Sequence, residues 1–233
     1  MYVSCVVVER VVVAVAGRAI IVTLGFDEKF VIRAIMRNAP LKEDKVIVFV
    51  PSFKDERAER ALSSLKEFCA KIGELRLEEQ EVPVTDVEGA IAKVYRVLSR
   101  ELMDGRKLCF NLSGGMRVLI LEVLAAALAV LRSMPETKVE VELENLMGRV
   151  EFSLNHFMLS QPSTPEKDIL SCIAELEEKG KVATLNTLTS TLKEPRTTLY
   201  RKLLDLADKG YVKVEKLGRS MFFTLTSIGR IFL

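Results

Sequence analysis

Asn111-Leu112-Ser113-Gly114-Gly115-Met116-Arg117 sits between two apolar stretches of different character. Before it, Arg106–Phe110 (Arg-Lys-Leu-Cys-Phe) reads as a short buried strand. After it, Val118–Leu131 is apolar nearly all round and rich in Ala and Leu, which predicts a buried helix. A strand that turns through two glycines into a helix leaves amide N–H groups unpaired at the helix start, where an anion, most often a phosphate, is favoured. Ser113 adds a hydroxyl, Asn111 an amide, and Arg117 a guanidinium able to grip phosphate with two parallel hydrogen bonds. The same residues also fit a tight turn in which Gly114 and Gly115 supply only positive φ. The flanking chain has to discriminate.

Upstream, strand and helix signals alternate. Ala19–Leu24 is a buried strand; Gly25-Phe26-Asp27 turns it, with Asp27 as N-cap, into a helix over Glu28–Arg37. Lys45–Val50 is a second strand, ended by Pro51-Ser52, and Lys54–Ile72 has helical period. Arg76–Val84 is a third, more polar strand, and Asp86–Leu102 an amphipathic helix. Downstream, Lys138–Leu143 and Arg149–Leu154 alternate apolar and charged residues around Asn145–Gly148, the pattern of an antiparallel hairpin. The expectation is an α/β, Rossmann-like, mostly parallel sheet with right-handed crossovers and a terminal β-hairpin. In such a sheet the turns Leu24-Gly25-Phe26, Pro51-Ser52 and Asn111–Arg117 crowd beyond the strand ends where ligands bind. That favours an anion site. Neither Gly-x-Gly-x-x-Gly nor Gly-x-x-x-x-Gly-Lys-[Ser/Thr] is present, which argues against an ordinary dinucleotide or P-loop ligand.

The totals narrow the function classes. A length of 233 residues fits one ordinary domain plus a small one. No apolar run reaches the roughly 18–20 residues of a membrane span, so no membrane partner is expected. Cys5, Cys69, Cys109 and Cys172 lie scattered in apolar patterns, as buried thiols of a reducing cytoplasm. His156 is the only histidine, which argues against His-ligated metal and a Ser-His-Asp triad; no cofactor, metal or catalytic residue is assigned. Residues 161–233 hold 12 Lys+Arg against 9 Asp+Glu, whereas residues 1–160 hold 22 against 23, so the small basic excess lies in the carboxyl-terminal part. Residues 1–17, with valine-rich runs split by Glu9-Arg10, are an N-terminal extension: an extra edge strand, or upstream residues peripheral to function.

Regular periodicity stops over 155–164, a linker marked at its end by Pro162 and Pro165. Over 165–233 the pattern is helix (Glu166–Lys179, with Thr164 as N-cap), short helix (Thr184–Leu192), turn, helix (Arg196–Lys209), then strands Tyr211–Glu215 and Met221–Leu225 and a last helical turn. That order predicts a winged helix-turn-helix. Its third helix turns Leu199, Leu203 and Leu206 inward and leaves Arg196, Thr197, Thr198, Tyr200, Arg201 and Lys202 for a DNA groove. Lys213, Lys216 and Arg219 lie on the wing, near phosphates. The alternative is a protein-binding winged helix with solvated charges.

An α/β domain over 18–154 with Leu-Gly-Phe after its first strand and Asn-Leu-Ser-Gly-Gly-Met-Arg after its fourth, followed by a winged helix, resembles the archaeal CRISPR-associated transcriptional regulators that carry a CARF domain. Leu225-Thr226-Ser227-Ile228-Gly229-Arg230 is similar to the corresponding segment of multiple-antibiotic-resistance-regulator-like winged helices. The resemblance implies a homodimer that binds double-stranded DNA. A cyclic oligoadenylate, cyclic tetra-adenylate above others, would sit across the two-fold axis. Its phosphates would rest on Asn111, Ser113, Gly114, Gly115, Met116 and Arg117, and its bases or riboses on Leu24, Gly25, Phe26 and Ser52. Two other readings stay open: a ring nuclease that cleaves the ligand, and a purely structural dimerisation domain.

Overall fold

The computed structural model describes residues 17–53, 55–72, 75–132, 134, 137–145, 147–218 and 220–233. The N-terminal extension up to residue 16 and Arg219 of the expected wing lie outside the described residues. The chain divides into two compact units, one ending at Ser153 and one spanning Leu154–Leu233.

The first unit runs β1 (Arg18–Thr23), α1 (Lys29–Asn38), β2 (Lys45–Pro51), α2 (Glu56–Lys71), β3 (Arg76–Val82), α3 (Val87–Met103), β4 (Lys107–Asn111), α4 (Arg117–Val130), β5 (Lys138–Glu142) and β6 (Arg149–Ser153). The sheet order is β3-β2-β1-β4-β5-β6, parallel except for the last strand. This is the Rossmann-like sheet with a terminal hairpin that the sequence predicts. β1 and β2 are buried on both faces, as their unbroken Val/Ile runs require. Ile20, Val22 and Leu24 with Val46, Val48 and Val50 face Val31, Ile35, Ala61 and Leu65 of α1 and α2. Helices α3 and α4 pack on each other. The order reverses between β1 and β4, which places the turns after those two strands side by side at the switch point.

Local chemistry shifts several boundaries. Asp27 does not cap α1 in the usual sense; its carboxylate accepts the Lys29 amide two residues on (2.9 Å), an Asx turn that delays the helix to Lys29. Asp55 caps α2, accepting the Arg57 and Ala58 amides at 2.8 and 3.3 Å. A buried ion cluster closes the amino end of the sheet: Lys45 Nζ lies 2.8 Å from Glu101 and 2.9 Å from Glu78, with Glu101 fully enclosed. Glu122 on α4 is also enclosed and meets no described partner; burial pushes its carboxyl up, with Asp86 adding to the effect.

The second unit holds α5 (Thr164–Glu178), β7 (Ala183–Thr184), α6 (Leu185–Leu192), α7 (Arg196–Asp208), β8 (Val212–Leu217) and β9 (Ser220–Leu225), with a three-stranded sheet in the order β7-β9-β8. Ile169, Leu170, Ile173, Leu188, Leu199, Leu203, Leu206, Tyr211 and Phe223 form its core. The segment expected to be a linker belongs to this unit: Leu154–Phe157 is a short 3-10 helix, and the buried Tyr211 hydroxyl donates to Ser160 O (2.6 Å) and accepts from Ser160 N (2.9 Å). Thr164 is already helical and Ser163 takes the cap, because the Glu166 carboxylate accepts both the Ser163 amide and its hydroxyl at 2.7 Å. The Leu225–Arg230 segment is a latch. Thr226 Oγ1 donates to Gly210 O (2.7 Å) and accepts from Gly229 N (2.9 Å), a Cβ at Gly229 would fall 2.1 Å from Tyr211 O, and Arg230 pairs with Glu177 of α5.

Burial alone would raise the Glu166 carboxyl, but the hydrogen bonds from Lys209 (2.5 Å) and Ser163 outweigh it and hold it at about 2. The ionised form is therefore the one that folding favours. Glu166→Gln is expected to cost about 1–2 kcal/mol at neutral pH, after allowance for the partly exposed lysine. The difference should persist above about pH 4.5, shrink as the pH falls, and vanish only below about pH 2, measured by urea unfolding of both proteins across that range.

Candidate functional site

The turns after β1 and β4 touch through their backbones. A Cβ at Gly25 would lie 2.9 Å from Gly115 Cα, one at Gly114 would lie 3.1 Å from Thr23 O, and one at Gly115 would lie 3.1 Å from Thr23 Cβ. Gly115 also has φ of +104°. Thr23 Oγ1 donates to Gly114 O. The glycines are thus fixed by close approach as well as by φ.

Around this contact lies a cavity of about 430 Å³ lined by Gly25, Phe26, Asp27, Phe30, Ser113, Gly114, Gly115, Met116 and Glu144. Among the described residues, the amides of Gly25, Phe26, Gly114, Gly115 and Met116 donate to nothing. Two sets of open amides and the amino end of the fourteen-residue α4 therefore meet at one place. Such a nest carries positive partial charge and suits an oxyanion. The first turn of α4 holds no acidic residue to compete.

The loop is held in shape by β5. Asn111 Nδ2 donates to Glu140 Oε1 (2.9 Å), Ser113 N donates to Asn111 Oδ1 (3.3 Å), Glu142 N donates to Ser113 Oγ (2.8 Å), and Leu112 N donates to Glu140 O (2.9 Å). The two glutamates are held in turn by α1. Arg37 bridges Glu140 and Glu142, and Arg33 Nε lies 2.7 Å from Glu142 Oε1. In Arg37 burial works against the charge, but the Glu140 and Glu142 hydrogen bonds prevail and raise its affinity for the proton.

These contacts sort the expected ligand residues. Gly25, Phe26, Ser113, Gly114, Gly115 and Met116 line the cavity together. Leu24 does not: strand alternation turns its side chain into the core on the α1–α2 side, 1% exposed. Asn111 is 2% exposed and engaged with Glu140, so it shapes the loop from beneath. Ser52 is exposed at the end of β2, outside the cavity lining; its amide donates to Val82 O (2.8 Å). Arg117 is exposed as the first residue of α4, outside the lining, and forms no ion pair with a described residue. Phe30, Asp27 and Glu144 are lining residues that the motif reading missed; Phe30 was reachable, since it lies in the first turn of the helix that follows Leu24-Gly25-Phe26.

In the second unit, Arg196, Thr197 and Arg201 are exposed on α7, and Thr198, Tyr200 and Lys202 are half-buried. Arg196 Nη1 donates to Asn186 Oδ1 of α6 (2.6 Å), Lys202 pairs with Glu194 (2.6 Å), and Lys213 pairs with Glu215 (2.6 Å). Arg201 and Lys216 make no ion pair with a described residue. The free charge on this surface is smaller than the residue count suggests, because local carboxylates take part of it.

A family model, the Csa3 CRISPR-associated Rossmann-like domain, matches residues 18–153. The chain belongs to the Csa3 family. Over 192 residues it is 25% identical to the CRISPR locus-related protein Csa3 of Saccharolobus solfataricus, whose name proposes DNA binding; the match covers 81% of this chain and 77% of that protein. Among solved structures it is similar to protein VC1899 from Vibrio cholerae, with a TM-score of 0.42 and 10% identity over 93% of this chain and 64% of that one. Csa3 membership makes the first unit a CRISPR-associated Rossmann-like domain. No helix among the described residues is long and apolar enough to cross a membrane, and no described cluster could hold a metal ion.

Asn111→Asp places a carboxylate against Glu140 in a closed site. It is expected to destabilise the protein by at least about 2 kcal/mol, whereas Asn111→Ser should cost less; chemical denaturation of the two variants checks the order.

Proposed function

We propose that this protein is a ligand-responsive DNA-binding regulator of CRISPR-associated genes, controlled by a cyclic oligoadenylate held between two copies of the chain. The observation that carries the reading is the set of open amides from two touching loops around one cavity at the switch point of the sheet. A phosphodiester is the anion that fits these backbone amides, with the exposed Arg117 guanidinium at the start of α4 to offset the Asp27 and Glu144 carboxylates that share the lining.

Size argues for the second copy. About 430 Å³ lies at the small end of ligand sites, roughly 300–1,000 Å³, and a ring of four nucleotides exceeds it. A two-fold partner doubles the space and presents a second identical nest, which matches the symmetry of a cyclic tetra-adenylate. Helix α4 supports such a partner: Leu121 is 64% exposed, and Leu124, Ala125 and Leu128 are half-buried around it, an apolar stripe that starts at Arg117.

The second unit supports a winged helix-turn-helix. Helices α6 and α7 meet through a turn in which Lys193 adopts the left-handed conformation, and β8 and β9 form the wing. Thr197 and Arg201, one turn apart on α7, face outward with Arg196 and are the groove readers. In a dimer, two such helices must lie about 34–36 Å apart to read adjacent half-sites, so a ligand that selects one dimer arrangement selects DNA affinity. Ser113 Oγ accepts from Glu142 N and keeps its own proton to donate to a bound phosphate, a binding role.

Titration calorimetry with cyclic tetra-adenylate should give one ring bound per two chains, and Arg117→Glu should weaken binding at least about tenfold, or ~1.4 kcal/mol. Absence of heat with the native protein would overturn the ligand assignment. Gel shifts on promoter DNA of the surrounding genes should show Arg201→Ala binding more weakly, with the salt slope reduced by about one if the residue meets a phosphate; identical shifts at every salt concentration would remove α7 from the interface.

A further inference from the structure

The cavity has a second kind of wall besides its amides. Phe26 lies at the mouth, 49% exposed, although a large apolar ring gains by burial. It is not loose there. The Arg57 guanidinium, from the first turn of α2, lies over the ring with its carbon 4.1 Å from the ring centre. That distance leaves no room between the two groups, so one face of Phe26 is occupied by a cation and the ring edges the cavity with the rest of its surface.

Arg57 is held by one long, exposed ion pair, to Asp55. Its amide is used in capping by Asp55, but its Nε stays 3.8 Å from the Asp55 carboxylate, beyond hydrogen-bond reach, and its side chain is 65% exposed. The other arginine–aromatic pair of the cavity is built differently. Arg33 lies 5.1 Å from the Phe30 ring centre and is ion-paired to the buried Glu142, so it belongs to the frame that supports the loop. Among the described residues, only the Phe26–Arg57 pair combines an open ring with a guanidinium held by no carboxylate hydrogen bond.

Resting on the ligand reading above, we propose that Phe26 and Arg57 together form the base seat of the site: a purine stacks on the open face of Phe26, and Arg57 on the opposite face fixes the ring and selects for purine. The physical reason is polarisation and order. Base–aromatic stacking favours the larger π-surface of a purine, and a guanidinium behind the ring both holds its rotamer and draws on its electron density. Arg57 is a positioning residue; it reaches the base through Phe26.

The chain contains no tryptophan, so Phe26→Trp supplies a single fluorescent reporter at the seat. Cyclic tetra-adenylate should quench its emission, and cyclic tetra-uridylate should quench it far less at equal occupancy. In the native background, calorimetry should show Phe26→Ala losing roughly 5- to 100-fold in affinity and Arg57→Gln roughly 2- to 5-fold. Arg57→Lys should fall between Arg57→Gln and the native protein. The ratio of adenylate to uridylate affinity should fall in Arg57→Gln, which simple loosening of α2 would not produce. If the native protein binds cyclic tetra-adenylate while Phe26→Trp binds it without quenching, or Arg57→Gln keeps both affinity and base preference, the seat is overturned and the phosphate site stands. If the native protein gives no heat with the ring, the ligand reading fails first and the seat with it.

Discussion

Two glutamates of one short strand, Glu140 and Glu142, govern the shape of the candidate site. They project to the same side of β5, where like charges two residues apart repel unless cations intervene. Arg37 spans both, and Arg33 closes on the second. With the charge balanced, the Glu140 carboxylate can take the Asn111 amide, and the β5 backbone can take Leu112 and Ser113 of the loop. β4 and β5 share only two register pairs, Phe110↔Val139 and Asn111↔Glu140, so these side-chain bonds carry much of the joint. The amides that remain open are the ones that this clasp does not use.

The fold was legible because its signals are short in range. Apolar runs marked β1 and β2, the glycine pair marked the turn into α4, and alternating charge marked the β5–β6 ribbon. The part of the site made by backbone was legible for the same reason, since glycines advertise where chains approach. Side-chain roles were harder. Asn111 looked like a ligand group because its partner Glu140 lies 29 residues on, and nothing local announces the pairing. Leu24 was placed in the site by its neighbours, although strand alternation alone turns it into the core. Arg57 looked like one more exposed helical charge; its place over Phe26 depends on how α2 packs beside α1, which no spacing rule encodes.

The second unit shows the same division. Leu225–Arg230 was recognisable as a motif, but its meaning is a latch: Thr226 and Gly229 close on Gly210 and Tyr211, and Glu177 accepts Leu225 N while pairing with Arg230. Ser163 displaced Thr164 as the cap of α5 for a similar reason, since the residue that wins is the one three positions before a glutamate. On α7, Glu194 and Asn186 take up Lys202 and Arg196. A count of basic residues overstates the field that such a surface projects, and the difference is set by neighbours on the preceding turn and helix.

The contact between Gly25 and Gly115 has a consequence for how such a protein can change over time. A methyl group on Gly25 would need the space that Gly115 fills, and one on Gly115 the space that Thr23 fills, so the two turns are locked to one another like adjoining teeth. Single substitutions at this seam can only pry the turns apart. A descendant that accommodates a different messenger must alter both turns together, or recruit the difference from residues outside the seam.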